Sequence, residues 1–183
     1  IHCDENSPLR PVSLYGRLKV EAEKALLNSG ECVTFRLATV FGISPHMRLD
    51  LLVNDFTYRA VTDRSLVLFE PHFKRNFLHV RDAARAFLHA LAHYPAMKGK
   101  PYNVGLSEAN LSKQELCQAI QKHVPDFHFF VSDKGQDPDK RNYIVSNARI
   151  EATGYKTAVT LDAGIAELIR GYQVIRRNQF SNV

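Results

Sequence analysis

The feature that most restricts the fold is a helical pattern followed at once by a strand pattern. Apolar side chains recur at helical spacing between Val12 and Leu27, after Pro11 and before an Asn-Ser-Gly stop. The next stretch, "ECVTFRLATVFG", alternates apolar and polar residues and is rich in β-branched and aromatic ones, which predicts a strand ending in a loop at Gly42. A helix followed directly by a strand predicts a layered α/β structure.

The rest of the sequence continues this alternation, without internal repeats or a low-complexity linker. Apolar periodicity predicts helices over residues 49–60, 80–93, 111–124 and 161–175. The third of these opens with Ser112 and Glu115, which are spaced as a capping box. Short strands are predicted at "SLVLF", "PYNVG", "FHFFVS" and "NYIVS".

Composition excludes several other classes of protein. Hydrophobic residues make up 45% and charged residues 23% of the 183 positions, which is typical of a soluble folded chain. We find neither a signal peptide nor a membrane span, and therefore expect a cytoplasmic protein. The net charge of +5 is spread along the chain, which argues against nucleic-acid binding. Cys3, Cys32 and Cys117 form no Cys/His cluster, so we expect reduced thiols and no metal site.

Tyr15 and Lys19 form the motif that carries chemistry. Residues four apart lie on one face of a helix, close enough for an ammonium to act on a phenol. A phenol is a poor base at neutral pH, and a neighbouring positive charge lowers its pKa. The spacing therefore suits a proton-transferring tyrosine, although a helical Tyr and Lys at this spacing also occur by chance.

Five segments in order resemble the extended short-chain dehydrogenase/reductase family, and most nearly its NAD-dependent nucleotide-sugar epimerases and dehydratases. The segments are "PVSLYGRLKVEAE", "FRLATVFG", "RNFLHVRDAARAFLHAL", "YNVG" and "RNYIVSNARIEATGY". The resemblance implies the C-terminal part of a Rossmann-type doubly wound parallel sheet with a small mixed α/β substrate domain. Residues 1–42 and 77–95 would be the last elements of the NAD-binding domain, and residues 43–76 and 96–183 the substrate domain.

The resemblance also implies the cofactor, NAD or NADP, and the roles of individual residues. Tyr15 would be the general acid/base, and Lys19 would hold the nicotinamide ribose. Thr39 and Val40 would contact the cofactor, and Thr39 also the substrate, a nucleotide-diphosphate sugar that reacts through a 4-keto intermediate. Val40 is equally well explained as core.

Three further residues match substrate contacts of the family. Arg75 and Arg141 would grip the diphosphate, which suits the planar guanidinium. The alternative for Arg75 is a surface arginine beside a strand. Asn54 would contact the nucleotide, and a polar helix surface explains it equally well.

Other matched residues are better read as structural. Ser13 belongs to the helix start, and Arg36 is expected to be a salt-bridge partner. Asp82 suits the first turn of a helix, where a negative charge is favourable, and His79 immediately precedes that helix.

The sequence departs from the family in three ways. Leu18 replaces the usual Ser or Thr, and "FEPHFK" replaces a frequent Gly-Asp-Gly turn. None of the nine glycines forms a phosphate-binding loop, which the family carries upstream of its tyrosine helix.

The missing upstream part has consequences for the surface and for function. We expect the Tyr15 helix to expose apolar side chains that the rest of a Rossmann sheet would cover, and a homodimer to form through that helix. The alternative function is a non-catalytic binding or regulatory module.

Overall fold

A computed structural model describes residues 2–132, 134 and 142–174 of the chain. These residues form seven helices and nine strands, interspersed along the chain. The helices are α1 (Leu14–Asn28), α2 (Leu52–Thr62), α3 (Val80–Ala92), α4 (Tyr94–Met97), α5 (Lys113–Gln121), α6 (Ala148–Glu151) and α7 (Leu161–Tyr172). The strands are β1 (His2–Cys3), β2 (Val33–Leu37), β3 (Thr39–Phe41), β4 (Ser65–Leu68), β5 (Lys74–His79), β6 (Lys100–Val104), β7 (Asn110–Ser112), β8 (His128–Val131) and β9 (Ile144–Val145).

The strands pair mostly in parallel. β2 pairs with β6, β4 with β8 and β1 with β9, all in parallel register. β3 pairs in parallel with β5, which also carries β7 as an antiparallel neighbour. Parallel pairs separated by helices are the arrangement of an α/β fold, so the predicted fold class is confirmed.

Two hydrophobic clusters lie on opposite faces of β5. Phe77 belongs to a large cluster formed mainly by α2, β4, α5 and α7. The next residue, Leu78, belongs to a second cluster formed by α3, β6 and Ile150. Successive side chains of a strand point to opposite faces, so β5 joins the two clusters.

Most of the predicted helices and strands are confirmed in type, whereas the short elements β1, α4, β7 and α6 were not predicted. The single strand predicted over "ECVTFRLATVFG" is wrong, because the chain forms β2 and β3, which pair with different partners. The change of partner occurs at Ala38, whose amide still donates to Val104 O (2.9 Å). β5 was not predicted, because its buried positions include Arg75, Asn76 and His79 and so lack an apolar alternation.

All three cysteines are free thiols, as expected. Burial raises the pKa of Cys117 to about 12, which makes its thiol unreactive at neutral pH. Within the described residues, each helix is too short or too polar to cross a membrane.

Candidate functional site

Tyr15 and Lys19 lie together on the open side of α1. Ser13 caps the helix, because its Oγ accepts a hydrogen bond from the amide of Gly16 (3.1 Å). The Lys19 Nζ lies 5.4 Å from the centroid of the Tyr15 ring, one turn along the same face. Tyr15 is 71% exposed, so its hydroxyl is accessible to a ligand.

The surface around this pair includes several exposed apolar side chains. Every residue of α1 is exposed or only partly buried, and its outward side chains include Leu14, Leu18 and Leu26 at 50–64% exposure. On α3, Phe87, which contacts Phe35 of β2 edge to face at 5.0 Å, is likewise exposed. Among the described strands β2 has one neighbour, β6, which leaves its other edge open. This exposure matches the expectation for a Rossmann sheet that lacks further strands here.

Thr39 and Val40 lie on β3, which pairs with Phe77 and Leu78 of β5. Both are partly buried. Gly42, just beyond β3, has φ +121°, and a side chain there would meet His79 Nε2 at 2.6 Å. Glycine at this position therefore lets the chain leave β3 directly over the buried imidazole.

Asn54 lies on the inner side of α2 rather than on a polar helix surface. It is 3% exposed, its Oδ1 accepts from the amide of Gly42 (3.1 Å), and its Nδ2 donates to Arg48 O (3.0 Å). The Tyr172 hydroxyl donates to its backbone carbonyl (2.9 Å). The side-chain amide of Asn54 therefore holds the segment from Gly42 to Arg48, which follows β3.

Arg75 lies on β5 and is 2% exposed, so the surface-arginine alternative is wrong. Its Nη1 donates to Lys74 O (2.8 Å), and its guanidinium carbon is 5.4 Å from the centroid of the Tyr143 ring. The Arg75 guanidinium is therefore held inside the fold, beside the Tyr143 ring. Arg141, the second predicted diphosphate ligand, lies outside the described residues.

A cavity of about 650 Å³ lies between α2 and β4 and reaches the start of α5. Its lining combines apolar side chains such as Phe130 with the ion pair of Arg59 and Asp55 (2.9 Å). Lys113 lies in its wall, where its buried ammonium donates to Phe69 O (2.8 Å). Apolar walls with a few fixed polar groups are typical of ligand cavities.

The remaining matched residues are structural, as the sequence suggested. Asp82 is fully buried, and its carboxylate accepts from the amides of Ala158 and Val159 (both 2.9 Å). His79 Nδ1 accepts from the Arg81 amide, and burial lowers the pKa of His79 despite the nearby Glu167. Accepting at Nδ1 fixes the neutral tautomer with its proton at Nε2, which faces Glu167.

Arg36 is the predicted salt-bridge partner. Its Nε and Nη2 donate to Glu23 (2.9 and 2.6 Å), and its Nη1 donates to Glu5 O (3.1 Å). The Glu23 hydrogen bond is the main cause that raises the pKa of Arg36. The pair joins α1 to β2 and so fixes the helix that carries Tyr15.

Parallel strands flanked by helices, with an exposed Tyr–Lys pair on the first helix, define the class: this is part of a Rossmann-type α/β protein. Residues 2–105 match the model of the NAD dependent epimerase/dehydratase family, and the chain belongs to that family. A curated protein of Methanocaldococcus jannaschii is 24% identical over 173 residues, which are 91% of this chain and 55% of that protein.

Solved structures share the fold. The chain is similar to UDP-glucose 4-epimerase of Thermus thermophilus in complex with NAD, with a TM-score of 0.79 at 22% identity. That match covers 96% of this chain and 59% of the other. An NAD-dependent NDP-hexosamine 5,6-dehydratase of tunicamycin biosynthesis gives a TM-score of 0.80 at 21% identity, over 96% and 58% of the two chains. The chain thus spans a little over half the length of these relatives.

Proposed function

We propose that the protein is an NAD(P)-dependent enzyme that epimerises, dehydrates or reduces a nucleotide-diphosphate sugar, with Tyr15 as its acid/base. The observation that carries this proposal is the exposed pair in which Lys19 stands one turn from Tyr15, 5.4 Å from its ring. Family membership and the NAD and NADPH complexes of similar structures support the choice of cofactor.

The residues present fit the nicotinamide end of such a cofactor. Tyr15 and Lys19 are exposed on the same helix face, where a hydroxyl and an ammonium can bind ribose hydroxyls. Thr39 and Val40, on β3, are the other residues proposed to contact the cofactor. When bound, the cofactor would accept and return a hydride.

The chain's own part in the reaction would be proton transfer. Tyr15, as phenolate, would take the proton of the sugar hydroxyl while the carbon that bears it is oxidised to the 4-keto stage. Lys19 would favour the phenolate by its charge and would hold the ribose. The same phenol would return the proton when the keto group is reduced.

The substrate diphosphate would bind at Arg75 and Arg141. The chemistry of the two side chains supports this, because guanidinium groups bind phosphate oxygens in a bidentate manner. The cavity between α2 and β4 lies near Arg75. Lys74, which precedes Arg75 on β5, pairs with Ser112 of β7, and the next residue, Lys113, lines the cavity. It offers room for the nucleoside. We propose that Asn54 contributes by holding the segment after β3.

The exposed leucines of α1 support the proposal that the complete protein is a homodimer through this helix. Sedimentation analysis should give a dimer for the wild type. Replacing Leu14 and Leu18 together by Glu should favour the monomer, because each charge would be buried in the interface. An unchanged dimer would place the interface elsewhere.

The proposed cofactor role is tested by calorimetric titration of the complete protein with NAD(H) and NADP(H). Wild type should bind one of them saturably, and Lys19→Ala should bind more weakly. Lys24→Ala is the matched control, because it removes an exposed lysine from another face of the same helix. Absence of binding at millimolar cofactor, or equal losses in the two variants, would contradict the proposal.

A further inference from the structure

A cleft of about 510 Å³ opens between α4, β6 and the region of α6. Its lining residues include two cations and no acidic residue, and they are Ala96, Lys100, Tyr102, Arg149, Ala152 and Thr153. Lys100 and Tyr102 are two positions apart on β6, so their side chains point to the same face of the strand. The cleft therefore brings a tyrosine and two positive charges to one concave surface.

The cleft lies away from the residues proposed to hold the cofactor. β2 and β6 run parallel, with Val33 opposite Lys100 and Leu37 opposite Val104. Thr39 follows the carboxyl end of this pair, whereas Lys100 lies at its amino end, about 13 Å along the strand from Val104. Ligands of doubly wound sheets bind beyond the carboxyl ends of the strands. A cleft towards the amino end is therefore a separate site.

The hydroxyl of Tyr102 is available as a hydrogen-bond donor in this cleft. Tyr102 is 2% exposed, and among the residues that the structure describes its hydroxyl has no hydrogen-bond partner. The hydroxyl is nevertheless not sealed from solvent, because it opens into the cleft that the residue lines. Burial raises the pKa of Tyr102, and the charge of Arg149 opposes this with a smaller effect. The phenol therefore keeps its proton at neutral pH and can donate it to a ligand.

The guanidinium of Arg149 is fixed in the wall of the cleft. Its Nη1 donates to Pro101 O (3.2 Å), and its Nη2 donates to Asn6 Oδ1 (2.7 Å). Each of these nitrogens carries two hydrogens, so each keeps one for another acceptor. The Arg149 Nε lies 3.6 Å from Oε2 of Glu5, which offsets one positive charge. The exposed ammonium of Lys100 adds a second, and the cleft remains positive.

The other lining residues leave room for more than an inorganic anion. The Thr153 hydroxyl is already engaged, because it donates to Ile150 O (2.6 Å) and contacts His89 Nε2 (2.8 Å). Ala96 and Ala152 contribute small apolar side chains. A volume of about 510 Å³ is within the range of clefts that hold small organic ligands.

We propose that this cleft binds a small phosphate ester, with Tyr102, Arg149 and Lys100 as donors to the phosphate and the two alanines against the organic part. A phosphate dianion matches the two cations, and its oxygens can accept from donors that approach from different directions. The site goes beyond the proposed function and does not depend on it.

The experiment is a titration of the complete protein with glycerol 3-phosphate, followed by NMR of ring-labelled tyrosine. Tyr102→Phe assigns the Tyr102 signals and keeps the buried ring. In the wild type these signals should shift saturably, with a dissociation constant of about 1 mM or below. Glycerol, the uncharged counterpart, should leave them unchanged. Inorganic phosphate should bind more weakly than glycerol 3-phosphate, because it lacks the organic part.

Lys100→Gln should weaken binding about tenfold, because it removes a charged donor from the cleft. Lys122→Gln is the matched control, since Lys122 is also exposed and lies at the end of α5. Its affinity should be that of the wild type. No saturable shift of the Tyr102 signals, equal losses in the two variants, or an equal response to glycerol would overturn the proposal. Equal affinities for inorganic phosphate and glycerol 3-phosphate would overturn the assignment to an ester.

The readout separates this proposal from the proposed function. Phosphate bound at Arg75 would not be weakened by Lys100→Gln, so a Tyr102 shift that is unchanged in this variant would overturn the site. Absence of turnover of nucleotide sugars would overturn only the proposed function, because the titration requires no reaction.

Discussion

Replacing Asn54 by Ala should destabilise the protein in the absence of any ligand. The amide makes two hydrogen bonds, with the buried amide of Gly42 (3.1 Å) and with Arg48 O (3.0 Å). Each bond contributes about 0.5–1.5 kcal/mol, and a buried partner left unsatisfied costs about 1–3 kcal/mol. Because Arg48 is exposed, water can hydrogen-bond its carbonyl in the variant. Most of the loss therefore comes from the buried Gly42 amide, which is left without a hydrogen-bond acceptor. We expect a loss of about 2–4 kcal/mol in the free energy of unfolding.

The assay is urea unfolding followed by circular dichroism, with equal m-values required for the comparison. Thr57→Val is the matched control, because Thr57 lies on the same helix, is fully buried, and has an Oγ1 that lacks a hydrogen-bond partner among the described residues. Removing that hydroxyl should be neutral or stabilising. A loss below about 1 kcal/mol in Asn54→Ala would refute the reasoning and return Asn54 to the ligand contact suggested by the sequence.

The other predictions concern pH, packing and anion binding. Burial lowers the pKa of His79, so the folded state binds fewer protons than the unfolded state near neutral pH. The contribution of His79 to the free energy of unfolding should be fully present above about pH 6.5 and should be lost as the pH falls through the lowered pKa of the folded state. Urea midpoints of His79→Gln should depend less on pH, and an equal dependence would contradict this. Gly105→Ala should lower the free energy of unfolding by about 1–3 kcal/mol, because the added methyl group would overlap Asn76 Oδ1. The double variant with Asn76→Ala should be more stable than the sum of the two single losses predicts. Arg75→Ala should weaken inhibition by free nucleoside diphosphates about tenfold to a hundredfold while kcat changes much less; unchanged inhibition by UDP, GDP, CDP and dTDP would remove Arg75 from the substrate site.

The sequence predicted best the features that depend on neighbours along the chain. The capping box of Ser112 and Glu115 is formed as expected, with both reciprocal hydrogen bonds (2.7 and 3.1 Å). α1 starts two residues later than its pattern, after the Ser13 cap. These signals depend only on residues that are close in sequence, so they can be recognised without knowledge of the tertiary structure.

Features that depend on contacts distant in sequence were not visible. β5 was missed because Arg75, Asn76 and His79 are buried through partners elsewhere in the fold. Asn54 could equally have been a surface residue until Tyr172 and Gly42 were placed against it. Polar residues in strands are the signal to examine for such sites.

The central claim, that Tyr15 transfers the substrate proton, is tested most directly by turnover of Tyr15→Phe in the complete protein. Loss of one hydroxyl should abolish turnover while nucleotide-sugar affinity stays near the wild-type value, because the phenol acts in proton transfer rather than in recognition. Tyr94→Phe is the control, since its hydroxyl donates to Glu31 O on another side of the fold, and it should retain turnover. Retention of most of kcat in Tyr15→Phe would contradict the account.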